Sequence, residues 1–455
     1  MPFLLFWSLA FCVAGIGKGS LASWDEAYYA LVSREIFRTG DWINLRYFDT
    51  PFYDKPPLYL WSTSFFYHLF GVSEFSTRLT SALAGVGVIL VTYFLGKRLV
   101  GPLAALAGAG ILLSSSDFLH YARWGTLDVT HLFFFTLALL FYFKAREEEK
   151  HWLGFWVASA LAVMTKGPLI GLAWLLILSD SLIRKEFSFL KRPFFWGGAA
   201  LAVLLVLPWH LAAYHAHPDL FLKDFLYKNY IARTGGAVEG HTGNWYFYIR
   251  TLVNKYHPWV LLAPAALVWA AWGRDRFRAH RFLLLWIAVV FVFFTFAVQT
   301  KLQWYILLLH PALSLVLGSF VASVIFKDRH PQWLKAGLIL ALLLQVRFSG
   351  AIVQDYSPAL KEMAPAVKQR VPAGRPVLLY DYHEQPTATF YFDRPVRYAD
   401  SPGELEDAVR TDVNALLLVP EKKYPALAEM FVQKGFHEKK RSTGFKTDLV
   451  LLAKG

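Results

Sequence analysis

Apolar runs of roughly 15 to 25 residues recur from Met1 to about Ile352, each long enough to cross all or most of a hydrocarbon core about 30 Å thick. They fall at 1–17, 75–96, 101–116, 128–143, 151–164, 168–183, 194–213, 258–273, 281–298, 302–326 and 334–352. This predicts about eleven crossings and a mainly α, polytopic transmembrane bundle over residues 1–355. Two polar stretches, 18–74 and 214–257, interrupt the runs as long loops. From about Tyr356 to Gly455 no such run occurs, and residues 356–455 read as a small soluble α/β domain. Its apolar runs Val377–Tyr380, Ala388–Phe392, Ala415–Val419 and Leu449–Leu452 predict strands, with helical patterns near 403–410 and 424–434.

Charge then sets the topology. With the amino terminus cytoplasmic, alternation places Lys97/Arg98, Lys144/Arg146/Lys150, Arg184/Lys185/Lys191/Arg192, Arg274/Arg276/Arg278/Arg281 and Lys327/Arg329 all inside, as the positive-inside rule asks. The two long loops and the last domain then face the extracytoplasmic, periplasmic side of a cell (inner) membrane. Met1–Gly17 lacks the basic start and small-residue cleavage site of a secretory signal, so it is expected to be a retained helix.

Composition agrees. The 455 residues are 56% hydrophobic and only 17% charged, too little charge for an ordinary soluble chain of that size. The net charge of +13 is spread between apolar segments rather than gathered in one basic tract, which argues against nucleic acid as a partner. The lone cysteine, Cys12, excludes a disulfide framework and a Cys-based zinc site. No repeat of fixed period appears, against a solenoid or an inverted-repeat transporter.

The candidate chemistry lies in the first long loop. Ser23-Trp24-Asp25-Glu26 has capping-box form, predicting a helix from Trp24 to about Thr39 with Glu26 at its third position. Asp25, Tyr28, Tyr29, Val32 and Ile36 share one face of it, the stripe of a helix lying along a membrane surface. Asp25 suits either the helix dipole or catalysis, and Glu26 is a cap or a second catalytic acid. In Pro51-Phe-Tyr-Asp-Lys-Pro-Pro-Leu-Tyr-Leu-Trp61 the prolines end an extended turn at Lys55 and start a helix of about 57–70. A lysine there opposes the dipole unless an anion is bound, which makes Lys55 a phosphate ligand. The plainer readings are a snorkelling lysine or a pair with Asp54.

Further polar residues stand at the same outer level. Arg123-Trp-Gly-Thr-Leu-Asp128 puts Asp128 at the mouth of a crossing, either as a functional acid or in a loop-shaping pair with Arg123. Thr165-Lys166-Gly167-Pro168 and Thr300-Lys301-Leu-Gln303-Trp-Tyr305 offer two more cations, the second amid interfacial aromatics. Arg233-Thr-Gly-Gly236 and Gly240-His241-Thr-Gly-Asn-Trp-Tyr246 form a Gly-rich stretch able to close over substrate. His241 in it needs a partner such as Asp54 to hold a metal. Gln345 and Arg347 within the last run have no functional account.

In this order these pieces resemble the polyprenyl-phosphate-dependent GT-C glycosyltransferases of the aminoarabinose lipid A transferase and protein O-mannosyltransferase type, over most of residues 20–325. The strongest are Asp-Glu-Ala-x-Tyr (25–29) with Gly-Asp-Trp (40–42), and Tyr-Asp-Lys-Pro-Pro-Leu-Tyr (53–59). Weaker ones are the stretch ending at Asp128, Thr-Lys-Gly-Pro (165–168), the Gly/His loop, and Lys301 with Tyr305. The resemblance implies a GT-C bundle of about 11 to 13 helices. It also implies inverting transfer of a sugar such as aminoarabinose or mannose from undecaprenyl or a similar polyprenyl phosphate to lipid A, another glycolipid or a protein. Asp25 and Asp128 would be its acidic catalytic residues. Lys55 would grip the donor phosphate, aided by Lys166, Lys301, Arg123 and Tyr305. In the aminoarabinose branch a glutamate at the position of Asp54 binds a divalent metal (Zn, Mg or Mn) with a histidine loosely matched by His241. Aspartate is one methylene shorter, and Tyr28 stands where that branch has arginine.

Cleaving a sugar from such a carrier yields a phosphate leaving group, so cations near its oxygens should give most of the acceleration. Asp25 would serve as base for a hydroxyl acceptor, with Asp128 orienting acceptor or base. The rival from another class is a transporter or flippase of an anionic lipid-linked substrate, which would place ionisable groups at the midplane and show related halves.

Overall fold

The computed structural model describes residues 1–454 except 49, 233–234, 237–239, 327–330, 350–354, 384, 412–415, 434 and 443–448. Arg233, Lys327 and Arg329 therefore lie outside the described residues, as do the side chains of Gln345 and Arg347. In chain order the helices are α1 (Pro2–Cys12), α2 (Asp25–Thr39), α3 (Leu58–Phe70), α4 (Glu74–Leu99), α5 (Pro102–Leu113), α6 (Ser116–Ala122), α7 (Asp128–Ala145), α8 (His151–Lys166), α9 (Gly171–Arg184), α10 (Pro193–Ala216), α11 (Phe221–Ala232, with wide π-type turns), α12 (Phe247–Lys255), α13 (Ala263–Ala271), α14 (Arg274–Val292), α15 (His310–Phe320) and α16 (Pro331–Ser349). A two-residue hairpin, β1 (Arg46–Tyr47) and β2 (Thr50–Pro51), sits between α2 and α3.

Six helical stretches among the described residues are long and apolar enough to cross a membrane: 74–99, 128–145, 151–184, 193–216, 274–297 and 303–325. A seventh appears if α5 and α6, bent by 67° across Ser114 and Ser115, count as one. The stretch 151–184 turns back on itself. Trp156 and Trp174 lie with ring centroids 4.6 Å apart, whereas eighteen residues of straight helix would separate them by roughly 27 Å. Gly167, at φ +74°, makes the turn, so α8 and α9 are the two passes that the runs at 151–164 and 168–183 predict. Other runs fall short of expectation. Helix α1 has 11 residues where 1–17 was read as a crossing, and α13 has nine where 258–273 was. Hydropathy reports apolar length, and here Gly15 and the three-residue turn Trp259–Leu261 end the helices inside it.

Small residues set how closely the helices approach. A Cβ on Gly318 of α15 would lie 2.3 Å from the backbone nitrogen of Gly108 of α5, backbone-to-backbone contact of the kind that holds helices together where no hydrophobic drive acts between them. The bundle's two ends differ in charge. At the far end Arg98 pairs with Glu147, Arg192 with Glu149 at 3.6 Å, and Arg184 and Arg281 both reach Asp180, at 3.1 and 3.0 Å. Four of the basic clusters that alternation assigned to one side, those at 97–98, 144–150, 184–192 and 274–281, thus meet through these acids.

The carboxy-terminal region contributes α17 (Pro358–Arg370), β3 (Val377–Tyr380), α18 (Gln385–Phe392), β4 (Val396–Ala399), α19 (Pro402–Thr411), β5 (Leu416–Pro420), α20 (Tyr424–Gln433), β6 (Phe436–Arg441) and β7 (Leu449–Lys454). The sheet order is β4-β3-β5-β7-β6, with β3 parallel to β4 and β5, and β7 antiparallel to β5 and β6. The apolar run at 388–392 is helix rather than strand. A short buried run has no period by which to tell the two apart, and Pro386 favours a helix start. Strands β4 and β6 escape the hydrophobic pattern because they are edge strands, β4 only four residues long and β6 richly charged, as exposed edges often are.

This region is not a loose appendage. Leu21, Ala27, Ala30 and Leu31 share one buried cluster with Leu360, Met363, Phe390 and Tyr391. The opposite face of α2, through Tyr29, Val32 and Ile36, packs on Phe52, Tyr59, Leu127 and Phe225 of the bundle end. Helix α2 is thus clasped on both sides.

Candidate functional site

Helix α2 begins differently from its sequence form. Its N-cap is Trp24 at φ +67°, with no side-chain cap, and the Ser23 hydroxyl is buried without a partner among the described residues. Glu26 is fully buried and turned to Arg78 of α4, whose Nε and Nη2 donate to it at 2.6 and 3.1 Å. Arg78 also donates to the carbonyls of Ile16, Lys18 and Ser20 at 2.9, 3.1 and 2.8 Å. The same carboxylate accepts the amides of Ala22 and Gly125 at 2.7 and 2.8 Å. Every donor of that arginine is used. Glu26 is therefore placed as an architectural acid, its carboxylate sealed among protein donors rather than closing a capping box with Ser23.

Asp25 and Tyr28 point the other way and are half-buried. Burial, then Asp25, Asp128 and Asp54 in that order, push the Tyr29 hydroxyl well above its usual pKa. Those three acids therefore act through their charge on one side chain of α2. The Tyr28 hydroxyl is likewise raised, by burial first and then by the Asp54 carboxylate facing it.

Lys55 sits where the prolines place it, just ahead of α3, whose N-cap is Pro57. Phe52, Tyr53, Pro56 and Pro57 around it are buried, and the Tyr53 hydroxyl donates to the Ala213 carbonyl at 3.1 Å. Its Nζ donates to the backbone carbonyl of Asp54 at 3.0 Å and to Asn229 Oδ1 at 3.3 Å. The Asp54 contact goes to the backbone carbonyl.

Across the site, at the head of α7, Asp128 forms an ion pair with Lys166 from the end of α8; the two side chains are 8% and 12% exposed. The Lys166 ammonium lies 5.4 Å from the Tyr305 ring centroid, a cation–π contact. The structure thus joins Asp128, Lys166 and Tyr305 and gives Asp128 a different partner from the one proposed. Arg123 instead donates to the carbonyls of Phe11 and Ala14 at 2.6 and 3.0 Å, tying the end of α1. Lys301 is buried and donates to the carbonyls of Phe294 and Thr295, each at 2.7 Å, and of Val298. Both were expected to bind phosphate. Each donates to carbonyls left open at a helix end.

His241 is exposed, and its carbonyl accepts the Lys301 amide at 3.0 Å. Among the described residues no three His, Cys, Asp or Glu side chains gather as a metal-binding group. Asp54 and His241 alone do not fit a resident ion.

Between α3, α4 and α7 a cavity of about 500 Å3 opens, lined by Leu58, Trp61, Phe65, Leu83, Thr130 and Phe133 among others. It starts one turn from Lys55 and two residues from Asp128. Arg78 and Asn229 were invisible as site partners in the sequence. The signal that could have found Arg78 is an arginine at the start of an apolar crossing, a flag for function or pairing.

A family model described as dolichyl-phosphate-mannose-protein mannosyltransferase matches residues 54–211, from the Asp54-Lys55 turn through most of α10. An undecaprenyl phosphate-alpha-4-amino-4-deoxy-L-arabinose arabinosyl transferase of Pseudomonas fluorescens is 32% identical over 333 residues, covering 70% of this chain and 59% of that one. The chain thus spans about three fifths of that relative's length. An uncharacterized protein of Aquifex aeolicus is 29% identical over 85% of this chain and 86% of its own length. Among solved structures, ArnT from Cupriavidus metallidurans bound to undecaprenyl phosphate superposes with a TM-score of 0.74 at 20% identity, over 99% of this chain and 97% of that one. The Archaeoglobus fulgidus oligosaccharyltransferase follows the same fold less closely, at TM-score 0.59 and 13% identity over 98% of this chain and 74% of its own.

Proposed function

Because the chain is a multi-pass membrane protein of GT-C fold, related by sequence to the undecaprenyl-phosphate arabinosyl transferases, we propose that it moves a sugar from a polyprenyl-phosphate donor to an acceptor, with inversion at the anomeric carbon. The observation that carries this is that Lys55, held just ahead of α3, and the Asp128–Lys166 ion pair at the head of α7 stand within three residues of the lining of one apolar cavity, at the end of the bundle away from the basic clusters. The matched transferase and the undecaprenyl phosphate in the neighbouring crystal structure support the donor class. The charge asymmetry supports a site on the extracytoplasmic side.

In this reading the bond from anomeric carbon to phosphate oxygen breaks, and its electron pair stays on the phosphate. Lys55 stabilises that oxygen as charge develops, with the amides at the start of α3 behind it. Lys166 shares itself between Asp128 and the phosphate. The acceptor oxygen bonds the anomeric carbon from the other face and, when it is a hydroxyl, gives its proton to Asp25. A phosphate acceptor, as on lipid A, needs no base. The cavity beside α3 suits the donor's apolar chain, since it is lined by aliphatic and aromatic side chains and opens beside Lys55. Aminoarabinose and mannose, and lipid A, another glycolipid or a protein, are the sugars and acceptors to screen.

The test is transfer of label from polyprenyl-phosphate sugars by the purified chain and by Lys55→Ala and Asp25→Asn. Loss in Lys55→Ala is expected with any acceptor. A fall of about hundredfold or more in Asp25→Asn is expected with a hydroxyl acceptor and little change with a phosphate one. Full turnover by both variants with every acceptor sinks the assignment, and movement of the lipid across the bilayer without transfer points to a flippase.

A further inference from the structure

Helix α11 touches both cationic sides of the site. It winds with wide turns over Phe221–Ala232, a geometry that is rare and concentrates at functional positions. Asn229, 7% exposed, donates through Nδ2 to the Asp224 carbonyl five residues back at 2.7 Å, which leaves Oδ1 facing Lys55 Nζ at 3.3 Å. The next residue reaches the other side. The Tyr230 ring packs edge-on against Phe225 at 5.4 Å. Its hydroxyl lies against Gly167, where a Cβ would come within 2.3 Å of the oxygen, beside Lys166. That hydroxyl is buried and has no hydrogen-bond partner among the described residues. A buried unsatisfied hydroxyl is uncommon and costs stability. Phenylalanine would fill the same space without that cost, so the oxygen calls for a role outside the protein's own packing.

We propose that Tyr230 is a donor-binding residue, its hydroxyl donating to a phosphate or sugar oxygen of the polyprenyl-phosphate donor, while Asn229 positions Lys55 for the same group. The inference rests on the transfer reading above for the identity of the ligand. It adds to Lys55 and Lys166 a neutral donor supplied by the second loop, on a segment that links the two cations.

The experiment uses the full chain in vesicles and measures affinity for sugar-free polyprenyl phosphate and for its sugar-bearing form, together with thermal unfolding. Tyr230→Phe is expected to bind at least one of them about tenfold more weakly and to unfold at the same or a higher temperature than the parent. Weakening toward both ligands places the contact on the phosphate; weakening toward the sugar-bearing form alone places it on the sugar. Affinities unchanged for both ligands overturn the proposal, as does a lower unfolding temperature, which would give the hydroxyl a structural partner. Asn229→Asp should weaken sugar-free phosphate binding more than Asn229→Ala does, because a carboxylate competes for the ammonium; equal weakening overturns the positioning role. A parent that binds neither lipid, or a Lys55→Ala variant that binds as the parent does, overturns the transfer reading itself and is recognisable apart from any result on Tyr230.

Discussion

Two acid–base pairs lie within one helix and its neighbours, and they are built to opposite ends. In the Glu26–Arg78 pair every guanidinium donor has a partner and both side chains are sealed, at 0% and 2% exposure. The Asp128–Lys166 pair, at 8% and 12%, keeps a face on the site and leans on the soft electron cloud of Tyr305. The first locks the connector at 16–22, α2, α4 and the turn at Gly125 into one piece. The second leaves charge available for exchange. Adjacent acids at 25 and 26 thereby divide labour, since neighbouring positions on a helix face different surroundings. What separates structure from chemistry here is how fully each charge is satisfied.

The comparison breaks first at Arg78. Arg78→Ala strands a fully buried carboxylate, which costs about 3–5 kcal/mol, and thermal unfolding in detergent should show the largest loss of any variant named here. Any activity lost should follow the folded fraction; unfolding like the parent's would make the hub dispensable. Lys55→Ala should do the reverse, lowering transfer by about 10²–10³-fold, the scale for removing one preorganised group that stabilises developing charge, with the melting temperature unchanged. Lys301→Ala tests whether a lysine saturated by carbonyls behaves like the hub: stability should fall by about 1–3 kcal/mol for the acceptors left unpaired, with donor KM unchanged. A raised KM at full stability would return Lys301 to the phosphate.

The smallest effect concerns acid. Burial raises the Asp393 carboxyl, but Arg38 and Arg34 of α2 outweigh it and hold the group below its ordinary pKa. A depressed carboxylate stabilises the folded form above the unfolded pKa of about 3.9, and loses that contribution as pH falls through the folded value. The grip of the carboxy-terminal region on α2 should therefore hold from neutral pH down to about 4 and loosen below it, by less than a kilocalorie or so because the pair is partly exposed. Limited proteolysis after Arg370 across that range reads it out; susceptibility that rises above neutrality would reverse the sign.

Much of this was legible in the chain because it is local. Run lengths gave the long crossings, proline positions put Lys55 ahead of α3, and the stripe Tyr29, Val32 and Ile36 marked the inner face of α2. Partners were not legible. Glu26 and Arg78 are fifty-two positions apart, and nothing in the Asp25-Glu26 pair says which acid turns inward. Arg123 and Lys301 carry the same charge at the same level as Lys166, and only the helix ends beside them decide that they serve backbone carbonyls. Ala388–Phe392 read as strand because its period, the one signal that separates the two states, is lost in a short buried run.

The two-sided clasp on α2 also has a consequence for timing. Ser20, Leu21 and Arg34 bond Asp355, Tyr391 and Phe390, more than three hundred positions later, and so are made well before those partners. During synthesis the helix that bears Asp25 first has only its bundle-facing partners, and it gains its second support when residues 355–393 have emerged and folded. A chain interrupted before Pro358 would therefore carry Lys55 and Lys166 with the helix of Asp25 packed on one side only.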